Sequence, residues 1–202
     1  VGSDDGFAVR DLIAAAPVGK QQHVTVALAA SLAVLLRAVS TLPQALAGLA
    51  AGGVGVVASV PDTWIGRLVE ATGQTPGLRT VAACREEEAI AIACGANLAG
   101  RRGAALMQNA GLLNCGGILG SLVQLYRVPL FMIVSYRGDA RDPIYYHEPK
   151  GRHTEPFLGA LGIPYALADR KGDLAAQVRR GVERAAEASG AFALLIGEED
   201  LG

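Results

Sequence analysis

The sequence predicts an α/β protein built on one parallel sheet of about six strands, with helices on both faces. Three observations carry this. The hydrophobic share is 51% but the aromatic share only 5%, so the core must come from Ala, Val, Leu and Ile, as in strands covered on both faces. From Thr41 onward, apolar strand-like runs alternate with helical segments, punctuated by Gly or Pro. A chain of 202 residues is long enough for one such domain, with a modest extension, to bury a core without staples.

Residues 1–22 are rich in Gly, Asp and Gln and show little periodicity, and 24–39 read as a helix packed on an unspecified partner. Residues 1–40 are therefore set apart from a domain spanning 41–202. Within it the pattern predicts helix 43–51, strand 54–59, helix 62–71, strand 79–83 and helix 86–99. Strand 104–108, helix 112–126 and strand 129–135 follow. After a long polar connection, 136–152, come helix 154–161, strand 165–168, helix 173–188 and strand 192–196.

Charge and cysteine usage narrow the function. Eighteen basic against nineteen acidic residues, a formal charge of −1, leave no electrostatic footprint for nucleic acid or an anionic membrane. The apolar run 24–36 is too short for a bilayer, which takes about 20 residues. Cys84, Cys94 and Cys115 are odd in number and lack C-x-x-C spacing, which fits a reducing, cytoplasmic location. His23, His147 and His153 lack the i, i+4 spacing of a helical metal site, so no protein-built metal centre is expected.

In open parallel sheets, ligands gather beyond the carboxyl ends of the strands. That places attention on Ser59–Asp62, Cys84–Glu86, Gln108–Asn114 and the segment after Ser135. Arg85-Glu86-Glu87-Glu88 opens an alanine-rich helix, where acidic residues complement the macrodipole by themselves. Position at a strand end is what makes Glu86 a candidate. Gly111, Gly116 and Gly117 suit either phosphate binding or close packing, and form neither G-x-G-x-x-G nor a Walker loop. The connection 136–152 holds three of the five tyrosines, which argues for an ordered binding loop.

The order of these pieces is more specific than any one of them. Cys84-Arg85-Glu86-Glu87-Glu88-Ala89, then Met107-Gln108-Asn109-Ala110-Gly111-Leu112-Leu113-Asn114, then Ser135-Tyr136-Arg137-Gly138, then Gly151-Arg152-His153-Thr154-Glu155-Pro156 resembles sulfopyruvate decarboxylase alpha subunits. It is similar, less closely, to phosphonopyruvate decarboxylases. Ala58-Ser59-Val60-Pro61-Asp62-Thr63-Trp64 looks like the first strand-to-helix turn of that family. The resemblance runs from about residue 41 to the end.

The resemblance implies the pyrimidine-binding domain of a thiamine-diphosphate enzyme that decarboxylates a 2-oxo acid. Glu86, followed by Ala89, takes the position of the activating glutamate, which shares a proton with the pyrimidine so that the cofactor can act as electron sink. Gln108, Asn109 and Gly111 line the cofactor cleft. Asp62, Arg137, His147 and, more loosely, Lys150 or Arg152 fall on the substrate side, where cations suit a sulfonate or phosphonate.

The resemblance also implies a hetero-oligomer, with Mg²⁺ and the diphosphate bound mainly by a partner beta subunit. No Gly-Asp-Gly segment of the usual Mg-diphosphate kind occurs in the 202 residues, so activity is expected only with the partner. Gly111-Leu112-Leu113-Asn114 replaces the usual Gly-Leu-Gly-Asn, which points to a bulkier or less charged 2-oxo acid. Other readings of the same residues are acyloin-forming carboligation, a non-catalytic scaffold subunit, and a nucleotide module using Gly111–Gly117.

Overall fold

A computed structural model describes residues 41–169 and 172–201. The expected helix over 24–39 lies outside them. Six strands form one sheet in the order β2-β1-β3-β4-β6-β5, and every pairing is parallel. The strands are β1 Val56–Ser59, β2 Arg79–Ala82, β3 Gly103–Gln108, β4 Leu130–Ser135, β5 Tyr165–Leu167 and β6 Ala191–Ile196. β4 and β6 are buried along their whole length, whereas the edge strands β2 and β5 are partly exposed. Uninterrupted apolar runs in the centre and polar interruptions at the edges are the burial pattern of a sheet covered on both faces.

Side chains alternate across the strands and so build two cores. Val57, Leu106, Phe131, Ile133 and Leu194 pack under helices 41–51 and Leu174–Ala188, through Ala45, Leu49, Val178 and Val182. Ala105, Met107, Met132, Val134 and Leu195 face the other way, onto Ile90, Ala93 and Cys94 of helix Glu86–Leu98, and onto Leu119 and Leu158. Helix Leu174–Ala188 starts where the Asp173 carboxylate accepts from Ala176 N at 3.1 Å, and ends at Ser189 in the left-handed region. Among the described residues, no helix is long and apolar enough to cross a membrane.

Three expected elements differ. Helix 62–71 begins only at Gly66, because the Asp62 carboxylate accepts from Trp64 N at 3.1 Å and bends the chain into a turn first. The continuous helix expected over 112–126 is broken into Asn109–Leu112, Gly116–Ile118 and a π-helical stretch, Leu119–Gln124. Gly116, Gly117 and Gly120, poor helix formers, fall in it. The helix expected from 154 starts at Glu148, since Pro149 sits in its first turn, where no N–H is needed. The polar connection is correspondingly shorter than 136–152. A short terminal helix, Glu198–Leu201, was not anticipated.

Candidate active site

β1 sends its crossover toward β2 on one side and β3 lies on the other, so a crevice opens at the carboxyl ends of β1 and β3. The orphaned polar atoms mark this edge independently. Among the described residues, the buried side-chain atoms without a hydrogen-bond partner are Ser59 Oγ, Asn109 Oδ1, Ser135 Oγ and Arg137 Nε. All four lie at or just past the ends of β1, β3 and β4. Buried polar groups are nearly always paired, so a cluster of exceptions at one edge points to a place meant for something from outside.

The three glutamates that open helix Glu86–Leu98 have different fates. Glu88 reaches back to accept from Cys84 N at 2.8 Å, one residue before the N-cap Arg85. Glu87 pairs with Arg85 at 2.9 Å, which lowers its pKa. The Glu86 carboxyl makes no hydrogen bond within the described residues. Its side chain lies over Gly111, where an added Cβ would stand 1.9 Å from the carboxyl carbon. Only glycine leaves that space. Cys115 closes the turn beneath, its Sγ donating to Gly111 O at 3.3 Å, and burial pushes its thiol up to about 12, with the charges of Glu87 and Glu86 adding.

Asn109 is fully buried and acts as a tie. Its Nδ2 donates to Arg137 O at 2.8 Å and to Thr154 Oγ1 at 2.9 Å, while Thr154 Oγ1 donates to Lys150 O at 2.7 Å. With both amide hydrogens spent, Oδ1 is left as the free acceptor. Gln108, the last residue of β3, is half-buried and stands opposite Ser135 of β4.

The residues expected on the substrate side separate into two groups. Asp62, Arg137 and His147 come together. Arg137 Nη2 is ion-paired with Asp62 Oδ1 and donates to Thr63 Oγ1 at 2.6 Å, its Nη1 is 3.3 Å from His147 Nε2, and its guanidinium lies 4.8 Å from the Trp64 ring centroid. The Arg137 and Asp62 side chains are only 12% and 6% exposed. His147 Nδ1 faces Asp142 Oδ2 at 2.7 Å, and that carboxylate also accepts from Gly138 N and Ile144 N. Burial raises the pKa of Asp142, but these hydrogen bonds outweigh it and leave it lowered.

Lys150 and Arg152 stand apart from that group. Lys150 Nζ lies 6.0 Å from the Tyr146 ring centroid, and Arg152 pairs with Glu148 on an exposed helix face. Sequence reasoning missed Asp142, Thr63 and Thr154. Thr63 and Thr154 meet Arg137 and Asn109 from distant parts of the chain, so no local pattern announces them, whereas the partners of Asp142 lie within its own loop and next turn. A cavity of about 570 Å³ lies to one side of this site, lined by Tyr136, Glu155, Arg141 and Leu167 among others. It includes neither Glu86 nor Gly111.

The chain is 38% identical over 113 residues to sulfopyruvate decarboxylase subunit alpha of Methanococcus maripaludis, spanning 56% of this chain and 68% of that protein. It is 39% identical over 119 residues to the subunit of the same name from Methanothermobacter thermautotrophicus, spanning 59% and 72%. The chain belongs to the family of sulfopyruvate decarboxylase alpha subunits.

Phosphonopyruvate decarboxylase of Streptomyces viridochromogenes is 34% identical over 125 residues, 60% of this chain and 31% of that protein. No family model matches. A solved 2-oxoglutarate:ferredoxin oxidoreductase from Magnetococcus marinus superposes with a TM-score of 0.63 at 18% identity, over 80% of this chain and 29% of that one. Such a likeness establishes the fold. It bears out the parallel α/β architecture expected for the sulfopyruvate decarboxylase family.

Proposed function

We propose that this chain is the alpha, pyrimidine-binding subunit of a thiamine-diphosphate-dependent decarboxylase of sulfopyruvate, phosphonopyruvate or a closely related 2-oxo acid. A partner subunit supplies most of the binding for the diphosphate and Mg²⁺. The observation that carries this reading is Glu86: a half-buried carboxyl with no hydrogen bond of its own, floored by a glycine at the sheet's carboxyl edge.

The residues present fit the cofactor. A carboxyl that must share a proton with a ring nitrogen needs a fixed position and a free oxygen. Gly111 provides the position and the missing partner leaves the oxygen. Glu86, Gln108, Asn109 and Gly111 would line the cofactor side. When bound, thiamine diphosphate supplies the electron sink that lets CO2 leave.

With the cofactor bound, the Glu86 carboxyl would be the group to share a proton with its pyrimidine ring. Arg137, paired with Asp62 and backed by His147, sets the wall on the substrate side. Lys150, in helix Glu148–Ala160 and over Tyr146, stands outside this group. Leu113 makes the turn after Gly111 apolar, which favours a less charged 2-oxo acid.

The test is to co-express the chain with a diphosphate-binding subunit and measure CO2 release over a panel of 2-oxo acids. Aldehyde formed in equal amount to CO2 is the expected result. A hydroxyketone product would instead mark a carboligase. Cofactor binding with no acid turned over would leave a scaffold subunit and sink the proposal.

A further inference from the structure

We infer that His147 is a positioning residue for this cleft: as a neutral imidazole protonated on Nδ1, it holds Arg137 against Asp62 across the end of β3, and a second proton at Nε2 releases that strut. The inference rests on the reading of the cleft as the decarboxylation site.

The tautomer follows from donors and acceptors alone. Asp142 receives Gly138 N at 2.7 Å and Ile144 N at 3.0 Å, and its carboxyl faces His147 Nδ1 at 2.7 Å. A carboxylate so surrounded is an acceptor, so Nδ1 carries the hydrogen. On the other side Arg137 Nη1, which can only donate, stands 3.3 Å from Nε2. Nε2 therefore presents its lone pair. The ring is 2% exposed and held edge-on by Trp64 and Tyr146, at centroid distances of 5.9 and 4.7 Å, so it has no room to turn.

The consequence lies in the sheet order. Asp62 follows β1 and Arg137 follows β4, and β3 runs between those two strands. The Asp62–Arg137 ion pair therefore spans the carboxyl end of β3, from which Gln108, Asn109 and Gly111 emerge. Asn109 ties the Arg137 carbonyl to the same turn. Whatever moves the Arg137 side chain moves the wall across the end of β3, where the turn that Asn109 opens begins.

A proton on Nε2 would set an N–H and a cation against the Arg137 guanidinium with no acceptor between them. The charged and titratable groups around the ring are Asp142 from its own loop, Arg137 from the end of β4 with Asp62 beyond it, and Tyr146 from the preceding turn. Asp142 favours the extra proton and Arg137 opposes it. Only the Arg137 contact is lost when it arrives.

Two measurements test this. Long-range ¹H–¹⁵N NMR on the full chain, with three histidines in total, should show His147 as the Nδ1–H tautomer at neutral pH. In the reconstituted enzyme, wild-type kcat/KM should fall about tenfold per pH unit below the pH at which His147 takes its second proton. His147→Ala should lower neutral-pH kcat/KM at least about tenfold, mainly through KM. His147→Gln, which keeps an acceptor toward Arg137 but does not titrate, should restore most of that loss and lack the acid limb.

An Nε2–H tautomer, an imidazolium at neutral pH, or a His147→Gln profile that superimposes on the wild type would overturn the inference. If no 2-oxo acid is turned over, the proposed function falls while the NMR result still decides the state of the strut.

Discussion

Glu86 on Gly111 and the Asp62–Arg137–His147–Asp142 chain lie at the same edge of the sheet, yet their polar groups are used in opposite ways. Glu86 has a glycine beneath it and no hydrogen bond, while its neighbours Glu87 and Glu88 are spent on Arg85 and on the helix start. In the other group each charged side chain is held by a polar partner and little is exposed. The first arrangement keeps a carboxyl free for chemistry. The second spends its charges on building a wall. Residue type alone does not separate the two, since both begin with an acid after a strand.

The sharpest way to break this contrast is Glu86→Gln in the reconstituted enzyme. Turnover should drop by about 10²–10⁴-fold with the thermal unfolding midpoint nearly unchanged, and unchanged turnover would remove Glu86 from the chemistry. Gly111→Ala should come next. Its methyl would occupy the space of the Glu86 carboxyl, so activity should fall about 10²-fold with a stability cost of about 1–3 kcal/mol.

Arg137→Met tests the wall from the opposite direction. Leaving Asp62 largely buried without its partner should destabilise the chain by about 3 kcal/mol, read from denaturant unfolding, and the double variant with Asp62→Asn should recover part of it. A single Arg137→Met variant as stable as wild type would show that the ion pair contributes nothing.

A pH-dependent effect should be smaller. The Asp142 pKa is lowered in the fold, so its contribution is fully present above the ordinary carboxylate value of about 4 and is lost as pH falls through the depressed value. The melting temperature of Asp142→Asn should therefore fall less than that of wild type on going from pH 5 toward pH 2. Thiol labelling of the folded chain should modify Cys84 fast and leave Cys94 and Cys115 slow, because burial pushes those thiols up to about 11 and about 12. Fast labelling of Cys115 would mean that the turn under Glu86 opens readily.

Much of the fold was legible because it rests on periodicity. Runs such as Leu130–Ser135 and Ala191–Ile196 are apolar throughout, and residues 104–108 and 192–196, read as strands, fall within strands of the sheet. The errors came where local chemistry competes with pattern. Asp62 bends its own backbone before a helix can start, glycines break the helix after Gly111, and Pro149 sits in the first turn of a helix that begins inside the stretch read as a polar connection. Glu86 and Gly111 were singled out by chain order and resemblance, and their contact was not anticipated.

The sequence by itself determined the layered parallel sheet, the four strand ends at which a site can form, and the presence of an acid and glycines there. Repeating apolar spacing and turn residues act over short stretches, and one chain suffices to read them. Only the tertiary structure decided which glutamate stands free and which residues merely hold the wall, because a carboxyl's fate depends on what faces it. For Arg137 that is Asp62, 75 residues away, brought within reach because β1 and β4 flank the same strand.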